Sequence, residues 1–479
     1  MVRSFTVGLR SRLSTLQAGL NKEAVVSFSL KRRLYETLPF SFKQVIGGLP
    51  FNWVAGRQYR ETFRRNSWVD RATQSDLLAY QSERLGRMLQ FATQQVPAYA
   101  RYRAVVQRLA PFDALREFPL VDKEEIQQNF AQYLPVSFEK IPHYECTTGG
   151  TSGNQLKFYL DDSSQAVETA FMHRQWARVG YTPRCRKATF RGVLFPDLDG
   201  DRYWQYNPIY NELQFSPFHM NDGTLGFYVD KLIEYRPSYL HGYPSAIDAL
   251  AEYVIRRNLS GLLVGVKALL LGSEGCSQAQ RARIKKAFSA RVFSWYGHSE
   301  RLILGGECEY ESTYHHLPDY GVLEIIDDDG HACEREGERG ELVGTSLLNY
   351  SMPLIRYRTG DYARRRAANC ECGRNWDRFD EVEGRWKQDM IIGSNGSRIS
   401  IASLNMHGSF FDRVIRYQYH QSSDGNCEIR VMPAPEFSDE DLRQIKQAYA
   451  LKVGKELTIS VVCVEELPLT KGGKLRMLA

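Results

Sequence analysis

Residues 266–272 (VKALLLG) and 291–296 (RVFSWY) are two short apolar runs that decide the fold class of this chain. Each has the length of one buried strand, and residues 244–257 before the first run show the pattern of an amphipathic helix. Three further short apolar runs of the same kind lie at 192–196, 322–326 and 341–345. Because such strands alternating with amphipathic helices are typical of α/β domains, we predict a large α/β domain.

The N-terminal side of the chain has a helical pattern instead. Residues 73–108 carry apolar side chains at helical spacing, and residues 1–66 predict helices at 11–20 and 30–37. We therefore divide this part into a basic helical arm, residues 1–66, and a large α/β domain, residues 67–383.

The last hundred residues form a smaller unit, residues 384–479. Strands are predicted at 428–432 and 457–464. Between them, Ser438 and Asp441 have capping-box spacing and open a helix that runs to about residue 453. The predicted architecture is thus α/β, with a large N-terminal body and a small α+β C-terminal lid.

The composition excludes several classes of protein. Of the 479 residues, 43% are hydrophobic and 25% are charged, which excludes a disordered or fibrous chain. The apolar run 262–271 is far shorter than the ~18–20 residues of a membrane span, and the N-terminus lacks the apolar core of a signal peptide. Nine cysteines in such a chain argue against a disulfide framework. We expect a cytoplasmic protein that binds no nucleic acid.

The net charge of +6 is concentrated in the arm. Residues 1–66 hold twelve Lys and Arg against three Glu, so the arm carries +9 and the remainder is close to neutral. Arg10, Arg12 and the basic triplet 31–33 stand beside leucines, as in helices that lie on anionic membrane surfaces. One interpretation is weak peripheral contact with the inner membrane surface through residues 1–37. The other is a solvated basic helix that packs on the body.

Residues 147–154 (TTGGTSGN) interleave hydroxyl side chains with glycines. Such a segment lets the backbone approach an anion closely, and its N–H and O–H donors can surround phosphate oxygens. It is not a Walker loop, because no Gly-Lys-Ser/Thr follows. Taken alone, the segment indicates either a phosphate loop or a surface turn.

Four shorter motifs follow along the chain. Residues 296–300 (YGHSE) come just after a predicted strand and offer an aromatic ring for a base and a carboxylate for Mg²⁺. Residues 356–361 (RYRTGD) place a carboxylate after a glycine turn, where it can bind two ribose hydroxyls. Gly384-Arg385 lies at the domain boundary, and residues 472–474 (GGK) put a lysine on a glycine turn. Each motif alone also fits an ordinary turn.

In this order, the five motifs resemble those of the adenylate-forming superfamily of acyl-CoA synthetases, peptide-synthetase adenylation domains and luciferases. Five segments resemble more closely the phenylacetate–CoA ligase branch and the CapK-like proteins of polysaccharide gene clusters: 94–99 (QQVPAY), 242–245 (GYPS), 272–274 (GSE), 354–361 (LIRYRTGD) and 370–374 (CECGR). The resemblance covers about residue 38 to the end. It implies an adenylate-forming body, a C-terminal lid, and an enzyme that uses ATP and Mg²⁺.

The resemblance also implies roles for individual residues. The β- and γ-phosphates of ATP are expected to contact Thr148, Gly149, Gly150, Thr151, Ser152 and Gly153. The adenine pocket is expected to include Ser273, Glu274, Tyr296 and Gly297, with the Tyr296 ring stacked on the base.

Four further residues are implied to act closer to the reaction. Asp361 is expected to bind the ribose hydroxyls, and Glu300 to coordinate Mg²⁺. Arg385 is expected to contact ribose or phosphate. Lys474 is expected to contact the substrate carboxylate and the α-phosphate, where two anions meet and a cation must neutralise the developing charge.

The implied reaction activates a carboxylic acid as an acyl-adenylate, releases pyrophosphate and transfers the acyl group to an acceptor. CoA is the default acceptor. An amine, for example on an amino sugar, is an alternative, as is nucleotidyl (AMP) transfer to the product. A degenerate adenylation fold that only binds is disfavoured by the intact Glu300, Asp361 and Lys474.

Two positions depart from the family pattern. Gln155 stands where the phosphate loop of the family often has proline. At the hinge the family usually has Gly-Arg-x-Asp-Asp, whereas residues 384–389 are GRWKQD, one residue longer. The pivot is therefore either Lys387 or Asp389, and whether the lid reaches a second, thioester-forming pose stays open.

Cys308, His315, Cys370 and Cys372 form a candidate metal set. Three sulfurs and one imidazole make a tetrahedral Zn²⁺ shell, with every position filled, so the site would be structural. The C-x-C spacing is tighter than the usual C-x₂-C, and unligated thiols are the alternative.

The acyl pocket is the part that the sequence specifies least. His219, His241 and a dense group of aromatic residues fall in the segment where it should form. The aromatic residues are Tyr203, Trp204, Tyr206, Tyr210, Phe215 and Phe218. They are either the lining of a carboxylate pocket or plain hydrophobic core.

Overall fold

The predicted alternation of short strands and helices is present in the computed structural model. It describes residues 35, 38–148, 155–192, 202–384, 390–404, 406, 411, 413–454, 456–467 and 477–478. The predicted arm helices apart from Tyr35, loop residues 149–154, Arg385, Lys387, Asp389 and Lys474 lie outside this part of the chain.

The helices precede the sheet in the first third of the chain and then alternate with strands. In chain order the described α-helices are α1 (Phe40–Gly47), α2 (Phe51–Val54), α3 (Gly56–Val69), α4 (Gln74–Gln95), α5 (Arg103–Arg108), α6 (Pro111–Arg116), α7 (Lys123–Gln128), α8 (Ser164–Ala177), α9 (Leu225–Tyr235), α10 (Pro244–Arg256), α11 (Gln278–Phe288), α12 (Ile401–Leu404) and α13 (Asp439–Val453). None of the described helices is long and apolar enough to cross a membrane.

The strands are short, as the apolar runs predict. In chain order they are β1 (His143–Thr147), β2 (Lys157–Asp161), β3 (Lys187–Phe190), β4 (Trp204–Asn207), β5 (Glu212–Phe215), β6 (Tyr239–Gly242), β7 (Ala268–Leu271), β8 (Arg291–Gly297), β9 (Leu304–Gly306), β10 (Tyr314–His316), β11 (Gly321–Ile326), β12 (Arg339–Ser346), β13 (Tyr357–Arg366), β14 (Arg378–Glu383), β15 (Met390–Ile392), β16 (Arg398–Ser400), β17 (Val414–Ser423), β18 (Asn426–Pro433) and β19 (Thr458–Cys463).

Twelve strands form one sheet, in the order β11-β12-β13-β14-β10-β9-β8-β7-β6-β3-β5-β4. The pairings β8-β7, β7-β6, β6-β3 and β3-β5 are parallel, and the strands on either side of this block are antiparallel. Every residue of β6 and β7 is buried, as expected for parallel strands covered by helices on both faces. The carboxyl ends of five parallel strands therefore lie at one edge.

One strand of the body was not predicted from the sequence: β3, which ends at Phe190. Of the strand predicted at 192–196, only Gly192 belongs to the described residues, where it follows β3, and residues 193–196 lie outside the described part of the chain. β3 begins with the buried Lys187, whose Nζ contacts Glu212 at 3.1 Å, and this charge masks the strand in a search for apolar runs. The helical segment 73–108 is also interrupted after Gln95, because Pro97 cannot continue a helix and opens a 3₁₀ turn instead.

The C-terminal residues form a separate small sheet of β17, β18 and β19, covered by α13. Ser438 and Asp441 make the predicted capping box at the start of α13. This unit contacts the body through polar groups: the Ser400 hydroxyl donates to Glu274, and Gln155 Nε2 donates to the Met406 carbonyl at 3.0 Å. The predicted α/β body with a smaller C-terminal domain is confirmed.

Candidate active site

A cleft of about 1510 Å³ lies at the edge where the parallel strands β3, β6, β7 and β8 end. Arg191, Tyr243, Ser273 and His298 each follow one of these strands and line it. Ligands bind at this edge in open α/β sheets because the loops diverge there. The described motif residues that the cleft brings together are Thr148, Ser273, Glu274, Tyr296, Gly297, Glu300, Asp361 and Gly384.

Thr148 closes the base of the predicted phosphate loop. Its backbone N–H donates to the Leu156 carbonyl at 2.9 Å, and its hydroxyl accepts from the Leu156 N–H at 2.9 Å. Thr148 and Leu156, on either side of segment 149–154, are therefore joined where β1 leads into β2, and Thr148 lines the cleft. The Thr148 hydroxyl oxygen already accepts this bond from Leu156. The predicted contact of the hydroxyl with phosphate would form in addition to it.

Tyr296 and Asp361, which were assigned to adenine and to ribose, are hydrogen-bonded to each other. The Tyr296 hydroxyl donates to Asp361 Oδ2 at 2.9 Å, and its ring meets the Phe379 ring edge-on at 5.7 Å. Gly360 has φ +73°, a backbone conformation that glycine adopts without strain. This turn within β13 lets Asp361 line the cleft beside Tyr296.

The carboxylate of Glu300 is fixed by two donors. The Tyr357 hydroxyl donates to Oε1 at 2.8 Å, and His298 Nδ1 lies 3.0 Å from Oε2. Because His298 Nε2 accepts from the Ile303 N–H at 3.1 Å, the imidazole proton is on Nδ1 and points to Glu300. Burial raises the pKa of Glu300, but the His298 and Tyr357 hydrogen bonds outweigh it and lower the pKa to about 2.

Glu300 is therefore an anion at neutral pH, and no lysine or arginine of the described residues forms an ion pair with it. The Glu300 carboxylate accepts one hydrogen bond on each oxygen and keeps further lone pairs for a ligand. Such an ionised carboxylate in a cleft suits a hard divalent cation such as Mg²⁺.

Ser273 and Glu274 follow β7 at a point where β7 and β8 pack closely together. A side chain on Gly272 would lie 2.3 Å from the indole of Trp295, so only glycine fits there. Ser273 has φ +69° and accepts from Arg191 Nη2 at 2.7 Å. Glu274 accepts from the Ser245 N–H at 3.2 Å and from the Ser400 hydroxyl, and burial raises its pKa.

Sequence reasoning missed four residues of this cleft. His298 lies inside the motif 296–300 and Tyr357 inside the motif 356–361, but neither was given a role. Arg191 and Lys452 have no motif around them, so no local pattern could have identified them.

The candidate acyl-pocket residues separate into two groups. His241 is buried on β6, where Nδ1 donates to the Leu270 carbonyl at 2.8 Å and Nε2 faces Arg191. His219 is buried and bonded to the Ser216 hydroxyl at 2.6 Å, away from the cleft lining. The aromatic group does not line the cleft either; Phe215, for example, stacks on Phe190 at 4.8 Å in the core.

The four candidate metal ligands converge from three neighbouring segments of the sheet. The ligand atoms of Cys308, His315, Cys370 and Cys372 all lie within 4.8 Å of one another. The Cys308 and Cys370 sulfurs are 3.7 Å apart, and the Cys372 sulfur is 3.4 Å from His315 Nε2. Zn–S bonds of about 2.3 Å and Zn–N bonds of about 2.0–2.1 Å in a tetrahedron give edges of about 3.8 and 3.5 Å.

The surroundings of these ligands also suit a metal. His315 Nδ1 donates to the Thr313 carbonyl at 3.2 Å, which leaves Nε2 as the free ligand atom. The N–H groups of Tyr310 and Glu311 donate to the Cys308 sulfur at 3.4 and 3.3 Å, as is common around thiolates. The donor set and its geometry fit Zn²⁺.

Comparison with known proteins agrees with the fold. Residues 391–479 match the family model described as the CapK C-terminal domain. The chain is 23% identical to Protein CapK of Staphylococcus aureus over 372 residues, 76% of this chain and 79% of that protein. It is 25% identical to the phenylacetate-coenzyme A ligase of Thermus thermophilus over 445 residues, 84% of this chain and 95% of that protein.

A solved structure of 2-hydroxyisobutyryl-CoA ligase, in complex with 2-HIB-AMP and CoA in the thioesterification state, has the same fold. The TM-score is 0.56 at 18% identity, over 86% of this chain and 91% of that chain. The predicted resemblance is confirmed: this chain has the fold of the adenylate-forming ligases, and its sequence relatives are CapK and the phenylacetate–CoA ligases.

Proposed function

We propose that this protein is an AMP-forming acid–CoA ligase. A substrate carboxylate oxygen attacks the α-phosphorus of ATP, the bond to pyrophosphate breaks, and an acyl-adenylate forms. The sulfur of CoA then attacks the acyl carbon, and AMP leaves. The observation that carries the proposal is the meeting of Thr148, Tyr296, Glu300 and Asp361 in one cleft at the ends of the parallel strands.

The residues of the cleft have distinct parts in this proposal. Asp361 accepts from the ribose hydroxyls, with its position set by the Tyr296 hydroxyl. Glu300, kept ionised by His298 and Tyr357, would hold Mg²⁺, which neutralises phosphate charge when bound. The segment 149–154 would supply phosphate donors from the loop that Thr148 closes, and Gly297, Ser273 and Glu274 would line the adenine side.

The C-terminal domain supplies the rest of the proposed machinery. Residues 384–479 act as a lid on the body, residues 67–383, and turn about Lys387 or Asp389. Arg385 contacts ribose or phosphate, and Lys474 reaches the reacting oxygens. A lysine on a moving lid makes charge neutralisation depend on closure, which protects ATP from hydrolysis in the open enzyme.

The test is pyrophosphate release from ATP with a library of carboxylic acids, followed by addition of acceptors. An acid–CoA ligase gives acid-dependent pyrophosphate, and an acyl-CoA product appears when CoA is added. Formation of an amide when an amino sugar is added would identify an amine, not CoA, as the acceptor. AMP on the final product would indicate nucleotidyl transfer. ATP binding without pyrophosphate release for any acid would contradict the proposal and favour a binding factor.

CoA is the acceptor proposed because the phenylacetate-coenzyme A ligases match most of this chain. The similarity to CapK keeps an amine on a polysaccharide precursor as the competing acceptor.

We propose that Cys308, His315, Cys370 and Cys372 hold a structural Zn²⁺ ion. The set links the segment after β9, strand β10 and the turn between β13 and β14. Arg178, Arg374 and Arg378 lie nearby and would balance the negative charge of the thiolates.

Purified enzyme should contain about one zinc per chain, by elemental analysis. Cys370→Ser should lower both the zinc content and the melting temperature, because one of four ligands is weakened and the three segments lose their link. Cys463→Ser, at an exposed cysteine outside the set, is the matched control and should change neither. Metal-free protein of full stability would remove the site.

We propose weak contact of the N-terminal region with anionic membranes, in an otherwise cytoplasmic enzyme. Twelve basic residues in 1–66 supply the charge. The described part of the arm also exposes large apolar side chains, at Phe40, Phe42, Val45, Leu49 and Trp53.

Full-length enzyme should co-sediment with phosphatidylglycerol-containing vesicles at low salt and dissociate at high salt. Each basic residue near an anionic surface contributes about 1 kcal/mol, and salt screens it. Deletion of residues 1–37 should abolish binding while adenylation is retained. No binding at low salt, or misfolding of the deletion variant, would show instead that the arm packs on the body.

A further inference from the structure

Arg191 lines the cleft one residue after β3 and is held there by neutral groups. Its Nη2 donates to the Ser273 hydroxyl at 2.7 Å, and its guanidinium lies 5.3 Å from the centre of the Tyr243 ring. Nη1 lies 3.5 Å from Nε2 of the buried His241. The side chain is thus positioned without being neutralised.

Among the residues that the structure describes, no carboxylate accepts a hydrogen bond from Arg191. Burial raises the pKa of Glu274, and the nearby charge of Arg191 offsets only part of this rise. Both Glu274 oxygens accept from other donors, the Ser245 N–H and the Ser400 hydroxyl. Arg174, buried elsewhere in the body, contacts two aspartates. The positive charge of Arg191 therefore faces the cleft.

A second cationic group approaches the same wall from the C-terminal domain. Lys452 on α13 lines the cleft near Gly192: a side chain on Gly192 would lie 3.6 Å from the Tyr243 hydroxyl and 3.7 Å from Lys452 Cε. Burial lowers the pKa of Lys452 to about 7. A bound anion would favour its charged form.

We propose that Arg191 binds a second acidic group of the acid that this enzyme activates, so that its substrates are dicarboxylic acids. The inference rests on the proposed adenylation and names its substrate class. A guanidinium binds a carboxylate through two parallel hydrogen bonds, and Arg191 has donors on both terminal nitrogens. None of the six aromatic residues considered for a carboxylate pocket lines the cleft.

ATP–pyrophosphate exchange with acids matched in length tests this: succinate against butyrate, and adipate against hexanoate. At least one dicarboxylate should exceed its monocarboxylate partner by about 10–100-fold in kcat/KM, as expected for a hydrogen bond to a charged group. Arg191→Gln should remove that preference, and Arg191→Lys should keep part of it. Arg186→Gln, at an exposed arginine just before β3, is the matched control.

The KM for ATP should stay unchanged in Arg191→Gln, because a role in phosphate binding would raise it. The preferred dicarboxylate, added with ATP, should also raise the melting temperature of the wild type more than that of the variant. Exchange that favours monocarboxylates in wild type and in Arg191→Gln alike would overturn this proposal and leave the adenylation proposal intact. No exchange with any acid would overturn both.

Discussion

Lys474→Ala should reduce acid-dependent pyrophosphate release by about three orders of magnitude or more, while ATP affinity barely changes. The reason is that the proposed role engages the lysine charge mainly in the closed transition state, where the carboxylate and the α-phosphate come together. Steady-state pyrophosphate release and nucleotide titration measure the two quantities separately.

Lys471→Ala is the matched control, because Lys471 stands three residues earlier in the same polar stretch of sequence. It should retain most of the activity. A loss of ATP binding in Lys474→Ala that equals the loss of activity would contradict the assigned role, because the lysine would then act in the open enzyme as well.

Glu300→Gln should lower kcat/KM for adenylation by about 10²–10³-fold. The substitution removes the negative charge and places an amide where Oε1 and Oε2 accept from Tyr357 and His298. Because His298 donates through Nδ1, an amide NH₂ at that position would face another donor. Activity should also require higher Mg²⁺, which a magnesium titration of pyrophosphate release would show.

The same substitution at Glu168 separates a specific effect from a general one. Glu168 lines the same cleft and accepts from the Tyr320 hydroxyl at 2.5 Å. Unlike Glu300, it has the charge of Arg301 nearby. Glu168→Gln should lose far less activity and show no change in magnesium requirement. Equal losses in both variants would contradict the metal role of Glu300.

The fold was predictable where side-chain chemistry and burial agree. The apolar runs at 322–326 and 341–345 correspond to β11 and β12, and the helix at 244–257 to α10. β3 was not predicted because Lys187 is buried in a strand whose ion pair with Glu212 is invisible in the local sequence.

The candidate site divides in the same way. Tyr296, Glu300 and Asp361 were predictable because each belongs to a short motif at a strand end or turn. Tyr357 belongs to the motif 356–361, but its bond to Glu300, across 57 positions of the chain, has no local signal. Lys452 approaches Gly192, the residue after Arg191, only because α13 folds against the body. Contacts between distant segments depend on tertiary packing, which a single sequence does not state.

The bond between Glu274 and Ser400 would oppose the proposed rotation of the lid. Glu274 is half-buried in the body and Ser400 belongs to β16, so a rotation that carries β16 away would remove one donor from this carboxyl group. Losing a hydrogen bond of this kind costs about 0.5–1.5 kcal/mol, a factor of about 2–10 in population. A ligand offsets this only if it binds the rotated arrangement more tightly than the present one. The acceptor of the second half-reaction would therefore select the rotated arrangement from a minor population.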